Sequence, residues 1–189
     1  MSSMPSHEYE FTLILGGVRE LTTEVENALF EAGCDDATIS IQHGAFSLEF
    51  CRESTSFLDA VLSAIHDVST ANIGAIVEQV DECNLVTQAE IARRCGRTRQ
   101  LISLYISGSR GPGGFPPPAC HLSENMPLWR WCEVSYWLAA NDMIKQSVVQ
   151  EAEVISAVNN ALERQLHECR NRALVRKIES SLEQIAACE

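Results

Sequence analysis

Apolar and polar residues alternate from Glu8 to Leu15 (EYEFTLIL), the period of a strand with one buried face. Gly16-Gly17 ends the alternation. Thr22–Ala32 (TTEVENALFEA) then repeats at helical spacing. Thr22 or Thr23 is placed to cap it, early Glu residues suit its N-terminal dipole end, and Gly33 stops it. Two further strands follow, Ala37–Gln42 and Ala45–Phe50, on either side of His43-Gly44, a two-residue hairpin signal. Ser54 or Thr55 opens a second helix to about Ser69, with Phe57, Leu58, Val61, Leu62, Ile65 and Val68 on one face. After Asn72-Ile73-Gly74, a last strand covers Ala75–Val80.

The order strand, helix, strand, strand, helix, strand predicts a ferredoxin-like βαββαβ domain over residues 1–83, two helices covering one face of an antiparallel sheet. That fold hosts many functions, and packing or dimerisation, ligand sensing and protein docking all fit it. Asp81-Glu82-Cys83-Asn84 forms a polar joint. Beyond Pro127 there is neither Pro nor Gly. From about Asp142 the pattern is helical. Ile144, Val148, Ile155, Leu162 and Cys169 fall at near-heptad spacing, and Leu174, Ile178, Leu182 and Ile185 form a second set. The phase shift predicts two helices, or one bent helix, meeting near Arg170–Arg172. Residues 142–189 are expected to be a dimer seam or a packing region.

Residues 87–107 read TQAEIARRCGRTRQLISLYIS. Thr87 and Glu90 have capping-box spacing, and Gly96 ends a short helix. Thr98 caps a second helix whose apolar positions are Leu101, Ile102, Tyr105 and Ile106, and Gly108 closes it. Two short helices on a tight Gly turn fit a helix-turn-helix. Outside the core set, the second helix and its entry present Arg97, Thr98, Arg99, Gln100, Ser103 and Ser107, with no acid among them. Arg pairs with guanine O6 and N7, Gln with adenine N6 and N7, and Ser or Thr with bases or phosphate. A plain helical hairpin has the same core but gives no reason for that surface.

The net charge of −12 argues against nucleic acid until it is divided along the chain. Residues 1–83 hold Arg19 and Arg52 against fifteen acids, a net of −13. Residues 84–145 hold six Arg and one Lys against four acids, a net of +3, and residues 146–189 come to −2. The cations therefore gather in the middle third, where DNA contact needs them.

Behind the second helix stand Phe115-Pro116-Pro117-Pro118, Trp129-Arg130-Trp131 and Glu133-Val134-x-x-Trp137-Leu138. In this order they resemble the AlpA and excisionase group of MerR-like winged helix-turn-helix proteins, over about residues 84–141. The sequence also resembles a group of small bacterial DNA-binding proteins that join this module to a preceding acidic α+β domain. The resemblance implies a cytoplasmic bacterial protein, nucleoid-associated when bound to double-stranded DNA, with the second helix in the major groove. Carried onto this sequence, it assigns Arg99, Gln100 and Ser103 to bases and Arg93, Arg97, Arg110 and Arg130 to phosphates or a wing contact. The wing departs from the group's pattern, since Ala119–Met126 lacks a basic tip. Gly111, Gly113 and Gly114 either offer N–H groups to a phosphate or shape the turn. Trp129, Trp131 and Trp137 read as core.

Other classes have less support. The eight cysteines include no Cys-x-x-Cys, and no His pair has helical ligand spacing, so no metal or cofactor is expected. Most thiols are expected free and core-like, with Cys95 beside Arg93, Arg94 and Arg97 the one candidate for redox chemistry. No nucleophile, metal cluster or phosphate loop suggests an enzyme. Met1 to His7 lack a signal peptide's apolar run, and no stretch is apolar enough to span a bilayer. The expectation is a homodimeric transcriptional regulator, a dimeric repressor reading a two-fold operator. Two alternatives share its DNA-binding part. One is an antitoxin or defence-system control protein whose acidic N-terminal domain docks another protein. The other is an excisionase-like factor that bends DNA.

Overall fold

A computed structural model describes residues 6–81, 83–122 and 126–186. Its N-terminal part runs β1 (His7–Gly16), α1 (Thr23–Glu31), β2 (Ala37–Gln42), β3 (Ala45–Ser54), α2 (Phe57–Thr70) and β4 (Ile76–Asp81). The four strands form one antiparallel sheet in the order β2-β3-β1-β4. His43 and Gly44 both take positive φ, as a tight two-residue hairpin requires. Phe11, Leu13 and Leu15 of β1 and Phe46, Leu48 and Phe50 of β3 are buried on one face, with Leu29 of α1 and the inner side of α2. The alternate residues, among them Glu8, Glu10, Glu49 and Glu53, fall on the other face.

Three details differ from the sequence pattern. The α2 cap is Ser56, whose hydroxyl accepts from Asp59 N at 3.1 Å, rather than Ser54 or Thr55. The buried α2 stripe is Phe57, Ala60, Val61, Ala64 and Val68, while Leu58 and Leu62 are exposed. The two alanines let the helix lie close to the sheet, and the leucines fall on its flank. In β4 the register shifts between Ile14 and Leu15, which face Gln79 and Val77. The extra residue, Glu78, lets Val77 and Val80 both face the core although they are three positions apart.

Arg52 at the end of β3 is buried and fully engaged. Its guanidinium donates to both Asp36 oxygens at 2.7 and 2.8 Å, to Asp67 at 2.7 Å, to Gly33 O at 2.7 Å and to Ser63 at 3.1 Å. These bonds tie the turn after α1 to α2 and raise the Arg52 pKa above its ordinary value.

The second part contains β5 (Leu85–Val86), α3 (Gln88–Arg94), α4 (Arg99–Ile106), β6 (Trp129–Arg130), α5 (Trp131–Ala140) and α6 (Gln146–Ala186). A separate core joins Val86, Ile91, Ala92, Ile102, Trp129, Trp131, Val134, Trp137, Leu138 and Ala152. The helical stretch expected from Asp142 begins four residues later, at Gln146. Asp142 takes φ +56, Met143 N donates to Leu138 O at 2.9 Å, and α5 ends there without a glycine.

The first limb of α6 serves both cores. Val148 and Ala152 pack on the second, and Ile155, Val158 and Leu162 on the first. The near-heptad set up to Leu162 is thus used within the chain. Asn171 leaves helical geometry (φ −154°, ψ 71°), and its side chain caps Leu174 N at 3.1 Å. Arg164 meets Glu179 at 2.7 Å across the break, so the second limb folds back on the first. Residues 15 apart on a straight helix stand about 22 Å apart. Leu174, Ile178, Leu182 and Ile185 on the second limb are exposed.

Candidate functional site

Thr87 opens α3 by accepting from Glu90 N at 3.2 Å. The carboxylate of Glu90 does not complete a capping box. It takes Arg93 at 2.6 Å and Arg94 at 3.1 Å, and the Arg93 guanidinium holds its pKa down to about 2. The two arginines then differ. Arg94 is largely buried, with its guanidinium 5.1 Å from the Trp131 ring centroid and a bond to Cys83 O at 3.3 Å, whereas Arg93 is exposed.

The turn between α3 and α4 is tightly determined. Gly96 N donates to Arg93 O at 3.2 Å and Arg97 N to Ala92 O at 2.9 Å, with Gly96 at φ +62. This paired closure needs a left-handed residue, which glycine supplies without a Cβ penalty. Thr98 then caps α4 through Leu101 N at 3.2 Å, and the Gln88 side-chain amide donates to Arg99 O at 2.8 Å. Ile102 is fully buried, while Leu101, Leu104, Tyr105 and Ile106 are half-buried.

Arg97, Thr98, Arg99, Gln100, Ser103 and Ser107 are all exposed along the turn and α4, and Arg110 is exposed just beyond. Among the described residues, Arg97, Arg99 and Arg110 make no ion pair. Arg97 and Arg99 sit at the N-terminal end of α4, whose dipole adds to an anion-attracting field. Arg93 and Arg130 are exposed too, but each meets a carboxylate of its own helix or the next, Glu90 at 2.6 Å and Glu133 at 3.3 Å. The Ser107 hydroxyl is taken up locally by Leu104 O at 3.2 Å and Ser109 at 2.8 Å.

The segment after α4 is held by the tryptophans. Trp137 Nε1 donates to Gly113 O at 2.9 Å and Trp129 Nε1 to Pro116 O at 3.1 Å. Phe115 and Tyr105 rings lie 5.0 and 5.4 Å from that of Trp137. Gly111 (φ +90) passes so close to Tyr105 that a Cβ there would stand 2.8 Å from the ring. Gly111 and the Gly113 carbonyl are thus used in shaping the loop. The chain returns by a Cys120–Leu128 bridge, and β6 pairs with β5 through Leu85–Arg130 and Val86–Trp129. Part of the segment expected to be a wing tip, 123–125, lies outside the described residues.

Gln88, which bonds to Arg99 O, and Asn84 also hold the site in place. Asn84 O accepts from Trp131 N at 2.6 Å, its Oδ1 from Cys132 N at 3.2 Å, and its Nδ2 donates to Ser156 at 3.0 Å. The expected polar joint is therefore a fastening point between β5, α5 and α6. Nothing in the local pattern marks it beyond the Asn itself.

The thiols divide: Cys34 belongs to the first core, and Cys95 and Cys132 pack against the second. Cys34 is buried, Cys51, Cys83 and Cys169 are exposed, and Cys188 lies outside the described residues. At Cys95 burial pushes the thiol pKa up, against the opposing effect of Arg97, so its basic neighbours do not activate it. Among the described residues no group of His, Cys, Asp and Glu is placed to hold a metal ion. No described helix is long and apolar enough to cross a membrane. Comparison with family models, curated protein sequences and solved structures finds no match for this chain.

Proposed function

We propose that this protein is a sequence-specific DNA-binding transcriptional regulator that inserts α4 into the major groove. The observation that carries the reading is the exposed side of α4 and its entry turn. It bears Arg97, Thr98, Arg99, Gln100, Ser103 and Ser107 and no carboxylate, in a chain of net charge −12. Arg99 and Gln100 are free to make paired hydrogen bonds with base edges, and Ser103 lies one turn further along the same side. Arg97 and Arg110 reach phosphates from the two ends of the helix. Arg93 and Arg130 join them by exchanging carboxylate partners for phosphate.

The same reading treats residues 84–141 as a winged helix-turn-helix of the AlpA and excisionase type. The turn at Gly96, the Phe115-Pro116 exit, the return through β6 and the Glu133-Val134/Trp137-Leu138 helix support it. The N-terminal sheet, ordered β2-β3-β1-β4 beneath two helices, supports a ferredoxin-like domain. The regulator acts as a homodimer on a two-fold operator.

One observation favours a second role beside the first. The sheet face turned away from the helices carries Glu8, Glu10, Glu49 and Glu53, suiting a basic protein partner, as in an antitoxin or defence-system control protein.

The test is a mobility shift on duplex DNA from upstream of the protein's own gene, across a salt series. Arg97→Ala and Arg110→Ala are each expected to weaken binding on every duplex alike and to lower the salt slope by about one counterion. Salt-independent binding, or none, sinks the proposal.

A further inference from the structure

The two long sides of the N-terminal sheet are finished differently. At β4 the outward main chain of Val80 is taken by Asn159 of α6, which accepts from N at 2.7 Å and donates to O at 2.8 Å. Where β1 runs past β4, the side chains include Glu8 and Glu10. Such covering and charging are how sheets avoid joining one another.

At β2 neither device is present. Its register with β3 is unbroken over six residues, with no bulge, proline or charged side chain. Gln42 and Ala45 close the two-residue hairpin as a hydrogen-bonded pair, so the alternation along the ladder directs the N–H and C=O of Ile39 and Ile41 away from β3. Among the described residues no strand pairs with that side. Ile39 and Ile41 have their side chains on the helix-covered face. There a cleft of about 320 Å³ opens beside α1, with Leu21, Phe30 and Ile39 along its apolar side and Glu26 and Asp35 along its polar side. Phe30 is 65% exposed and Ile41 43%.

Charge selects the occupant. Residues 37–48 are the longest acid-free run in a segment of net −13. A basic partner would gain nothing from a neutral strand when the carboxylate-bearing sheet face is available. A second copy, repelled by the carboxylate-bearing sheet face, meets less repulsion along this strand.

We propose that the outer edge of β2 pairs with the same edge of a second copy, antiparallel about a two-fold axis at Ser40. Ile39 of each copy faces Ile41 of the other, the sheets become continuous, and Phe30 and Leu21 close over the seam. The inference rests on the dimeric part of the reading above and not on DNA contact, so its test contains no DNA.

Sedimentation of the full chain is compared for the natural sequence, Ile39→Pro and Ile41→Glu. Proline at position 39 removes an outward N–H and leaves the β2–β3 ladder bonds in place. The Ile41→Glu substitution sets like charges on the two sides of the seam. The natural chain is expected to dimerise at micromolar concentration and more tightly as salt rises. Each variant that keeps the natural circular dichroism spectrum should raise the dissociation constant at least about tenfold. A natural chain that stays monomeric to about 100 μM in high salt overturns the proposal. So does a dimer that both folded variants retain, or one lost in Ile178→Glu on the second limb of α6 and kept in the β2 variants.

Discussion

Asn159 engages the main chain of Val80 as a neighbouring strand would, accepting its N–H at 2.7 Å and donating to its C=O at 2.8 Å. A side chain far along the sequence, on α6, thereby finishes the sheet edge. Since the same limb of α6 packs on the second core, the described parts should unfold together. Asn159→Asp keeps the shape but turns a carboxylate oxygen on the Val80 carbonyl. It should cost about 1–3 kcal/mol, read as a lower urea midpoint with unchanged slope. Two separate transitions in the natural chain would contradict this coupling.

Among the described residues, Arg52 is the one charged residue buried as a whole. Arg52→Met leaves Asp36 and Asp67 facing each other without their cation. A loss of about 3 kcal/mol is expected, at the low end for broken buried pairs because both carboxylates keep partial access to water. Arg52→Lys should recover only part, since one ammonium cannot hold Asp36 bidentately while reaching Gly33 O. Thermal melting of the three proteins checks the order. Equal midpoints would show that these bonds add nothing.

Glu90 gives a pH dependence with a definite sign. Its pKa is lowered from 4.5 to about 2, first by the hydrogen bonds from Arg93. A depressed carboxyl stabilises the fold above its unfolded value, and that contribution is lost as pH falls from 4.5 towards 2. Stability should therefore decline through this window, less steeply in Glu90→Gln. A carboxyl signal for Glu90 titrating near 4.5 in the folded protein would refute the assignment.

Gly111 and Gly44 both have positive φ, but only Gly111 has a neighbour in the way. A methyl group at Gly111 would stand 2.8 Å from the Tyr105 ring, whereas one at Gly44 would meet nothing within 4 Å. Gly44→Ala should cost about 1 kcal/mol of backbone strain, and Gly111→Ala more, because Tyr105 must also move. Melting temperatures of the two variants compare them directly. A milder effect at Gly111 would mean the loop does not lean on Tyr105.

The features legible in the sequence are those fixed by neighbours along the chain. The His43-Gly44 hairpin, the Thr22, Thr87 and Thr98 caps and the Gly96 turn are local chemistry, and the structure places them where the pattern does. The exposure of Arg97, Arg99, Gln100 and Ser103 follows from helical spacing around the buried Ile102. What escaped depends on distant partners or on rarer backbone choices. Asp142 ends α5 with a left-handed conformation usually given to Gly, and Glu78 inserts a bulge into an ordinary apolar pattern. Glu90 has cap spacing but prefers two arginines. Asn84 and Asn159 are common polar residues until the elements they join come together.

In the proposed function, Arg99 and Gln100 on α4 read base edges. Selection of binding sites from random duplex DNA, run with the natural chain and with Arg99→Ala plus Gln100→Ala, tests it most directly. A defined, two-fold related site is expected for the natural chain. The double variant should lose about 2–6 kcal/mol of discrimination at two positions per half-site, from about 1–3 for each paired contact, and retain salt-dependent binding to all duplexes. No enriched site with the natural chain, or the same site selected by the double variant, would contradict it.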